Sequence, residues 1–195
     1  MKKGLMIGIM GAMTLVACNQ EKEKVEDQFN YTVEQFADLQ LLRFKVHGFE
    51  ELPLKQKELV YYLSEAALQG RDILFDQNGK YNLIIRKMLE VVYTDYQGDR
   101  SDANFKNFET YLKRVWFSNG IHHHYAADKF VPGFTPEFFK SALESVDASK
   151  LPLMEGETLD ALCKEVFPVI FDAKVMAKRV NQADGEDLVL TSASN

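Results

Sequence analysis

The chain has 195 residues, of which 46% are apolar and 12% aromatic, and it carries a formal net charge of −6. That length and apolar content suffice for one core of ordinary domain size. The acidic balance argues against a nucleic-acid groove, which needs clustered Lys and Arg to hold phosphates, and no internal repeat or low-complexity stretch is present.

Lys2 and Lys3 precede an uncharged apolar run over residues 4–17 that ends in Leu15-Val16-Ala17-Cys18. A basic start, a short apolar stretch and a small residue before the junction are the parts of a secretory signal, too short to span a bilayer as a permanent helix. Cys18 at the junction makes it a lipoprotein signal. Residues 1–17 are therefore read as the signal, Cys18 as the lipidation site and residues 18–30 as a solvated tether. The acyl chains on Cys18, at about 0.8 kcal/mol per buried methylene, would anchor the protein to a membrane of the cell envelope, outside the cytoplasm. Removing residues 1–17 takes away two lysines and no acids, which moves the charge from −6 to −8. The alternative is an amphipathic or buried N-terminal helix with an incidental cysteine.

From residue 31 onward the pattern is mainly helical, and the fold class read from it is predominantly α. Residues 31–44 carry Val33, Phe36, Leu39 and Phe44 at loosely helical steps. Pro53 suits the first turn of the next helix, with Leu59, Tyr62, Leu63 and Ala66 as its buried stripe and Gly70 as a left-handed closing residue. Residues 71–79 form a polar corner in which Arg71 is a ready partner for Asp72. Residues 81–96 place Ile85, Leu89, Val92 and Tyr96 on one side, and Gln97-Gly98-Asp99 breaks that helix. Asp102 caps the next helix, whose buried face is Phe105, Phe108, Leu112 and Val115. Thr135-Pro136-Glu137 is a further helix start, combining a capping hydroxyl, a proline in the first turn and an acid at the positive end. Thr158 begins another helix, which Pro168 should bend or stop before a helical pattern resumes over residues 169–180. Strand signals are limited to residues 187–191, after the Asp184-Gly185 turn.

Two blocks carry a resemblance. Residues 59–87 (LVYYLSEAALQGRDILFDQNGKYNLIIRK) and 116–134 (WFSNGIHHHYAADKFVPGF) resemble, in order and at about the right separation, the amino-terminal part of bacterial dipeptidyl peptidase III, a zinc-dependent exopeptidase. The family's His-Glu-x-x-Gly-His and Glu-Glu-x-Arg/Lys-Ala-Asp motifs do not occur in this chain. The resemblance therefore implies the mainly helical N-terminal portion of an α+β lower lobe in a two-lobed metallopeptidase, with residues 31–195 as an incomplete piece. Residues 188–195 lack a helix cap or charged tail, and truncation is the expected account. The resemblance also implies that zinc, held by two histidines and a glutamate, belongs to the full-length enzyme outside this chain, and that no catalytic residue or metal ligand lies within it. The substrate would be a peptide losing dipeptides from its free amino end. The loop before Lys129-Phe130-Val131-Pro132 lies at the family's substrate cleft, which carries over Asn119, Gly120 and Tyr125 as substrate-binding residues.

The residues themselves support only part of this. Ser118-Asn119-Gly120 is turn chemistry, Gly120 permits close backbone approach, and the residues up to Tyr125 offer donors, acceptors and an aromatic face. His122, His123 and His124 invite a metal reading, but adjacent side chains point in different directions and three neighbours rarely converge on one ion. The polar group Arg71, Asp72, Asp76, Gln77 and Asn78 reads as an ion-pair and hydrogen-bond network that fixes the helix corner. Cys163 falls on the apolar side of a helix and reads as a buried small side chain, with no disulfide partner once Cys18 is acylated. No glycine-rich phosphate loop, Gly-x-Ser-x-Gly or Cys-x-x-Cys is present. Two other functions remain open: a complete exported lipoprotein that binds peptide or another ligand without catalysis, and a histidine-based metal scavenger.

Overall fold

A β-hairpin followed by helices makes up the described part of the chain, residues 29–178 of a computed structural model. The hairpin pairs β1 (Thr32–Phe36) with β2 (Leu39–Leu42) in antiparallel register, with Phe36 opposite Leu39 and Thr32 opposite Leu42. This overturns the helical reading of residues 31–44, and with it the restriction of strands to residues 187–191. The apolar steps there fitted a helix only loosely, while Thr32 and Val33 are stiff β-branched residues that favour a pleated strand. Ala37 turns the corner at φ 51°. Two charged side chains further along then hold the hairpin: Lys113 lies 2.5 Å from Glu34 and Arg114 lies 2.6 Å from Asp38. Residues 29 and 30, at the end of the expected tether, already join the hairpin, since Phe29 packs edge-on against Tyr31 and Asn30 accepts from the Thr32 amide at 3.0 Å. The signal, Cys18 and residues 187–191 lie outside the described residues.

Helix α1 (Leu54–Gln69) starts after Pro53 but contains no buried residue. The expected stripe is in water: Leu59, Tyr62 and Leu63 are 58%, 68% and 59% exposed, and Ala66 is exposed with them. Apolar spacing selects a helix face, but burying it requires a second element, and among the described residues none covers it. Gly70 is right-handed at φ −82°, not left-handed, because the chain continues almost directly into a further helix, α2 (Arg71–Asn78). The expected corner is thus helical, and Phe75 is its buried residue.

The core forms where the remaining helices pack. Helix α3 (Asn82–Asp95) contributes Ile85, Met88, Leu89 and Val92, and α4 (Ala103–Ser118) contributes Phe105, Phe108, Tyr111, Leu112 and Val115. From α5 (Pro136–Glu144) come Phe139, Ala142 and Leu143, and from α6 (Leu159–Phe171) come Leu162, Cys163, Val166, Val169 and Ile170. Each large side chain taken out of water contributes on the order of 1.5–3 kcal/mol. Phe134, between α4 and α5, sits edge-on to Phe108 with ring centres 5.5 Å apart, so the connecting loop is also pinned to the core. The caps fall where the sequence placed them. Asp102 accepts from Asn104 N at 2.8 Å, Thr135 from Phe138 N at 3.1 Å and Thr158 from Ala161 N at 3.2 Å. Pro168 does not end α6; the helix runs on to Phe171, where Asp172 N donates to Pro168 O at 3.0 Å. Residues 173–176 then form a turn, so of the helical pattern expected over 169–180 residues 169–171 belong to α6 and residues 172–178 are not helical.

Candidate functional site

The blocks at 59–87 and 116–134 meet where α4 ends against the start of α3. Asn119 closes α4 in the left-handed conformation (φ 54°, ψ 38°), and Gly120 N reaches back to Val115 O at 3.0 Å. Asn78 at the end of α2 donates from Nδ2 to Asn119 O at 3.2 Å. Asn82, buried in the first turn of α3, accepts from Ile121 N at 3.1 Å. The close approach that Gly120 permits is therefore made by Asn82, and Gly120 itself is buried. Asn119 is half-buried at the rim of a pocket, and Tyr125 is 87% exposed further along the loop.

That pocket has a volume of about 340 Å³ and is lined by Arg71, Phe75, Arg86, Glu90, Trp116 and Asn119. Arg86 is only 7% exposed and lies with its guanidinium 4.6 Å over the Phe75 ring. Its Nη2 donates to Asp72 at 2.6 Å and its Nε lies 3.3 Å from Glu90. Glu90 also accepts from the Trp116 indole N–H at 2.8 Å, which fixes the ring's orientation. The Arg86 hydrogen bond, with the charges of Arg86 and Lys87, holds the Asp72 carboxyl below its ordinary range. The network expected among Arg71, Asp72, Asp76, Gln77 and Asn78 does not form within that group: Asp72 pairs with Arg86 and Lys87, Asn78 donates to Asn119 O and Arg71 to Leu68 O. Successive residues of one helix project about 100° apart, whereas Arg86 reaches Asp72 from across the α2–α3 contact.

The three histidines take three different environments. His122 is buried, and its Nε2 lies 2.7 Å from Met176 O, so that nitrogen carries the proton. His123 Nδ1 accepts from the amides of Tyr125 at 3.2 Å and Ala126 at 3.1 Å. His124 approaches Ser118 Oγ at 3.4 Å. The His123 and His124 rings stack with centres 4.5 Å apart and planes 23° apart. Lone pairs of stacked rings lie in nearly parallel planes and do not aim at one ion. Among the described residues, no three His, Cys, Asp or Glu side chains are placed to hold a metal. These residues do not fit a zinc site, and no step of a zinc reaction is assigned to them.

Sequence reasoning missed Lys129. Its ammonium donates to the carbonyls of Val169 at 3.0 Å, Val175 at 2.7 Å and Asp172, at the end of α6 and in the turn after it. Burial lowers its pKa. Three accepting carbonyls nevertheless call for three N–H groups, which only the protonated amine has. Because the convergence involves residues 40 and more positions away, no local pattern could have announced it. Cys163 is buried as read, and desolvation raises its thiol pKa, which makes it a poor nucleophile.

No protein-family model matches the chain, and no curated protein matches it. Among the described residues no helix is long and apolar enough to cross a membrane.

Proposed function

We propose that the chain is the N-terminal portion of a dipeptidyl peptidase III-like zinc exopeptidase, held at the cell envelope by a lipidated Cys18. Its part in the enzyme is a non-catalytic wall of the peptide cleft, with Asn119, Gly120 and Tyr125 on the substrate side, the zinc and its ligands lying in further polypeptide. The observation that supports this most is α1. Sixteen helical residues with no buried side chain expose Leu54, Leu59, Val60, Tyr61, Tyr62, Leu63 and Leu68 together. Apolar surface of that extent in one place marks an interaction face, as expected of a lobe that more polypeptide completes. The test is to express the complete coding sequence and assay release of dipeptides from the amino end of short peptides, with and without a zinc chelator. The reading expects zinc-dependent release from the complete protein and none from the 195-residue chain. A stop codon directly after Asn195, or a complete protein without His-Glu-x-x-Gly-His, would sink it.

A second reading, an exported lipoprotein that binds a ligand without catalysis, draws on the pocket beside Asn119. It expects ligand binding by the chain alone and no peptide cleavage by any form of the protein.

A further inference from the structure

We infer that the pocket between α2, α3 and the end of α4 binds a small organic carboxylate with an apolar side chain, of the kind presented by the C-terminal residue of a short peptide. The two carboxylates beside the pocket are already paired. Glu90 is engaged by Trp116 Nε1 at 2.8 Å and by Arg86 Nε at 3.3 Å. Asp72 is engaged by Arg86 at 2.6 Å and by Lys87 at 3.5 Å. Arg71 is different. Among the described residues its guanidinium makes one hydrogen bond, from Nε to Leu68 O at 3.3 Å, which leaves the Nη pair free at the pocket wall. A planar fork of two N–H donors is the geometry that matches a carboxylate.

The rest of the lining supplies the remainder of a ligand site. The Asn119 carbonyl is tied to Asn78, while its side-chain amide has no hydrogen-bond partner among the described residues and adds a neutral donor at the rim. Buried Phe75 and the Trp116 ring, held through its N–H by Glu90, both line the pocket. Fixed aromatic surface beside an unpaired guanidinium suits a ligand with one apolar group and one negative end. At about 340 Å³ the space falls at the small end of ligand pockets, enough for a single amino-acid residue and its carboxylate and not for a long chain. The choice of a peptide as carrier rests on the function proposed above; recognition of the carboxylate does not.

The only tryptophan of the chain lines this pocket and also a second one beside Phe36 and Phe117, so its fluorescence reports on both, and the Arg71 variants assign a change to this one. The experiment titrates the 195-residue chain with N-acetyl-leucine, N-acetyl-leucinamide and acetate, following Trp116 emission. The expected result is a saturable change with N-acetyl-leucine, at least tenfold weaker binding of both the amide and acetate, and about tenfold weaker N-acetyl-leucine binding by Arg71→Gln. The Lys87→Gln variant, at a half-buried residue outside the pocket lining, leaves the pocket's free donors in place and should bind as the unaltered chain does. Circular dichroism of Arg71→Gln confirms that its fold is kept, and Arg71→Lys, which retains charge but loses the fork, should fall between the two. Equal binding of acid and amide overturns carboxylate recognition, equal binding of acetate overturns the apolar half, and no saturable change up to about 10 mM overturns the site. Failure of the peptidase proposal would appear as absent dipeptide release and would leave these titrations unchanged.

Discussion

Asn82 occupies the space that a side chain at Gly120 would need. A Cβ built on Gly120 falls 2.4 Å from Asn82 Nδ2, while Asn82 Oδ1 accepts from Ile121 N one residue further on, at 3.1 Å. Gly120 also sits at φ +153°, where a side chain is strained. The pair joins the start of α3 to the end of α4, and so sets the rim on which Asn119 stands. Gly120→Ala is expected to destabilise by about 2–3 kcal/mol, from overlap with buried atoms and backbone strain together. Asn82→Ala is expected to lose about 1–3 kcal/mol by leaving the buried Ile121 N–H unsatisfied. Because the first penalty arises from the Asn82 side chain, the double variant should lose clearly less than the sum. Urea denaturation of the four proteins measures this, and strict additivity would show that the two positions do not act on each other.

Lys129 should be the most costly single surface-loop residue to remove. Its ammonium is shared by three carbonyls where α6 ends, and its backbone N donates to Ala177 O at 3.0 Å. Lys129→Met keeps the length and apolar stem but strands those carbonyls, and hydrogen bonds to a charged group contribute about 1.5–3 kcal/mol each in net terms. A loss of about 3 kcal/mol is expected, with faster amide hydrogen exchange at residues 172–178. Lys129→Arg should recover little, since a planar fork does not converge on three carbonyls. Full recovery by arginine would show that charge alone matters there.

The Tyr111 hydroxyl is buried with no hydrogen-bond partner among the described residues, and desolvation pushes its pKa far above the ordinary 10.0. An unsatisfied buried polar group costs about 1–3 kcal/mol. Tyr111→Phe is therefore expected to be neutral or to stabilise by up to about 1 kcal/mol, seen as an unchanged or raised thermal midpoint. A loss of more than about 1 kcal/mol would reveal a partner for the hydroxyl.

Leu59 and Leu63 are more than half exposed on α1. Replacing both by lysine should alter the stability of the chain by less than about 0.5 kcal/mol per site, as for surface positions with no packing role. In a complete protein whose further polypeptide covers α1, the same pair should be strongly destabilising. Equal tolerance in both would show that α1 is never covered.

What could be read from the sequence follows the range of the forces involved. The caps at Asp102, Thr135 and Thr158 act within one turn, and the buried faces of α3 and α4 repeat over several turns, so both were legible. The hairpin was not, because residues 31–44 are short and their apolar steps fit a helix loosely; what holds the hairpin in place, Lys113 and Arg114, lies more than 70 positions away. The stripe Leu59, Tyr62, Leu63 and Ala66 was assigned correctly to a helix and wrongly to the core, since spacing reports a face but not whether anything covers it. The site was half legible. Asn119 and Gly120 stand out as turn residues in sequence, but Asn82, Arg86 and Glu90, which shape the pocket beside them, look like ordinary positions of an amphipathic helix.

Asp72 gives the pH dependence. Arg86, 2.6 Å away, and Lys87 hold its folded pKa below the ordinary 3.8. A carboxyl with a depressed folded pKa stabilises the fold wherever the unfolded chain would also be ionised, that is above about 3.8, and the contribution fades as pH falls through the lower, folded value. The side chain is 49% exposed, so screening keeps the contribution within about 1 kcal/mol. Asp72→Asn should therefore lower the urea midpoint modestly at pH 7, and the gap from the unaltered protein should narrow steadily below pH 4. Added salt at pH 7 should narrow the same gap, because the Asp72 pair is partly in water. A difference that is constant from pH 7 to pH 2.5 would assign the effect to packing of the side chain and not to its charge.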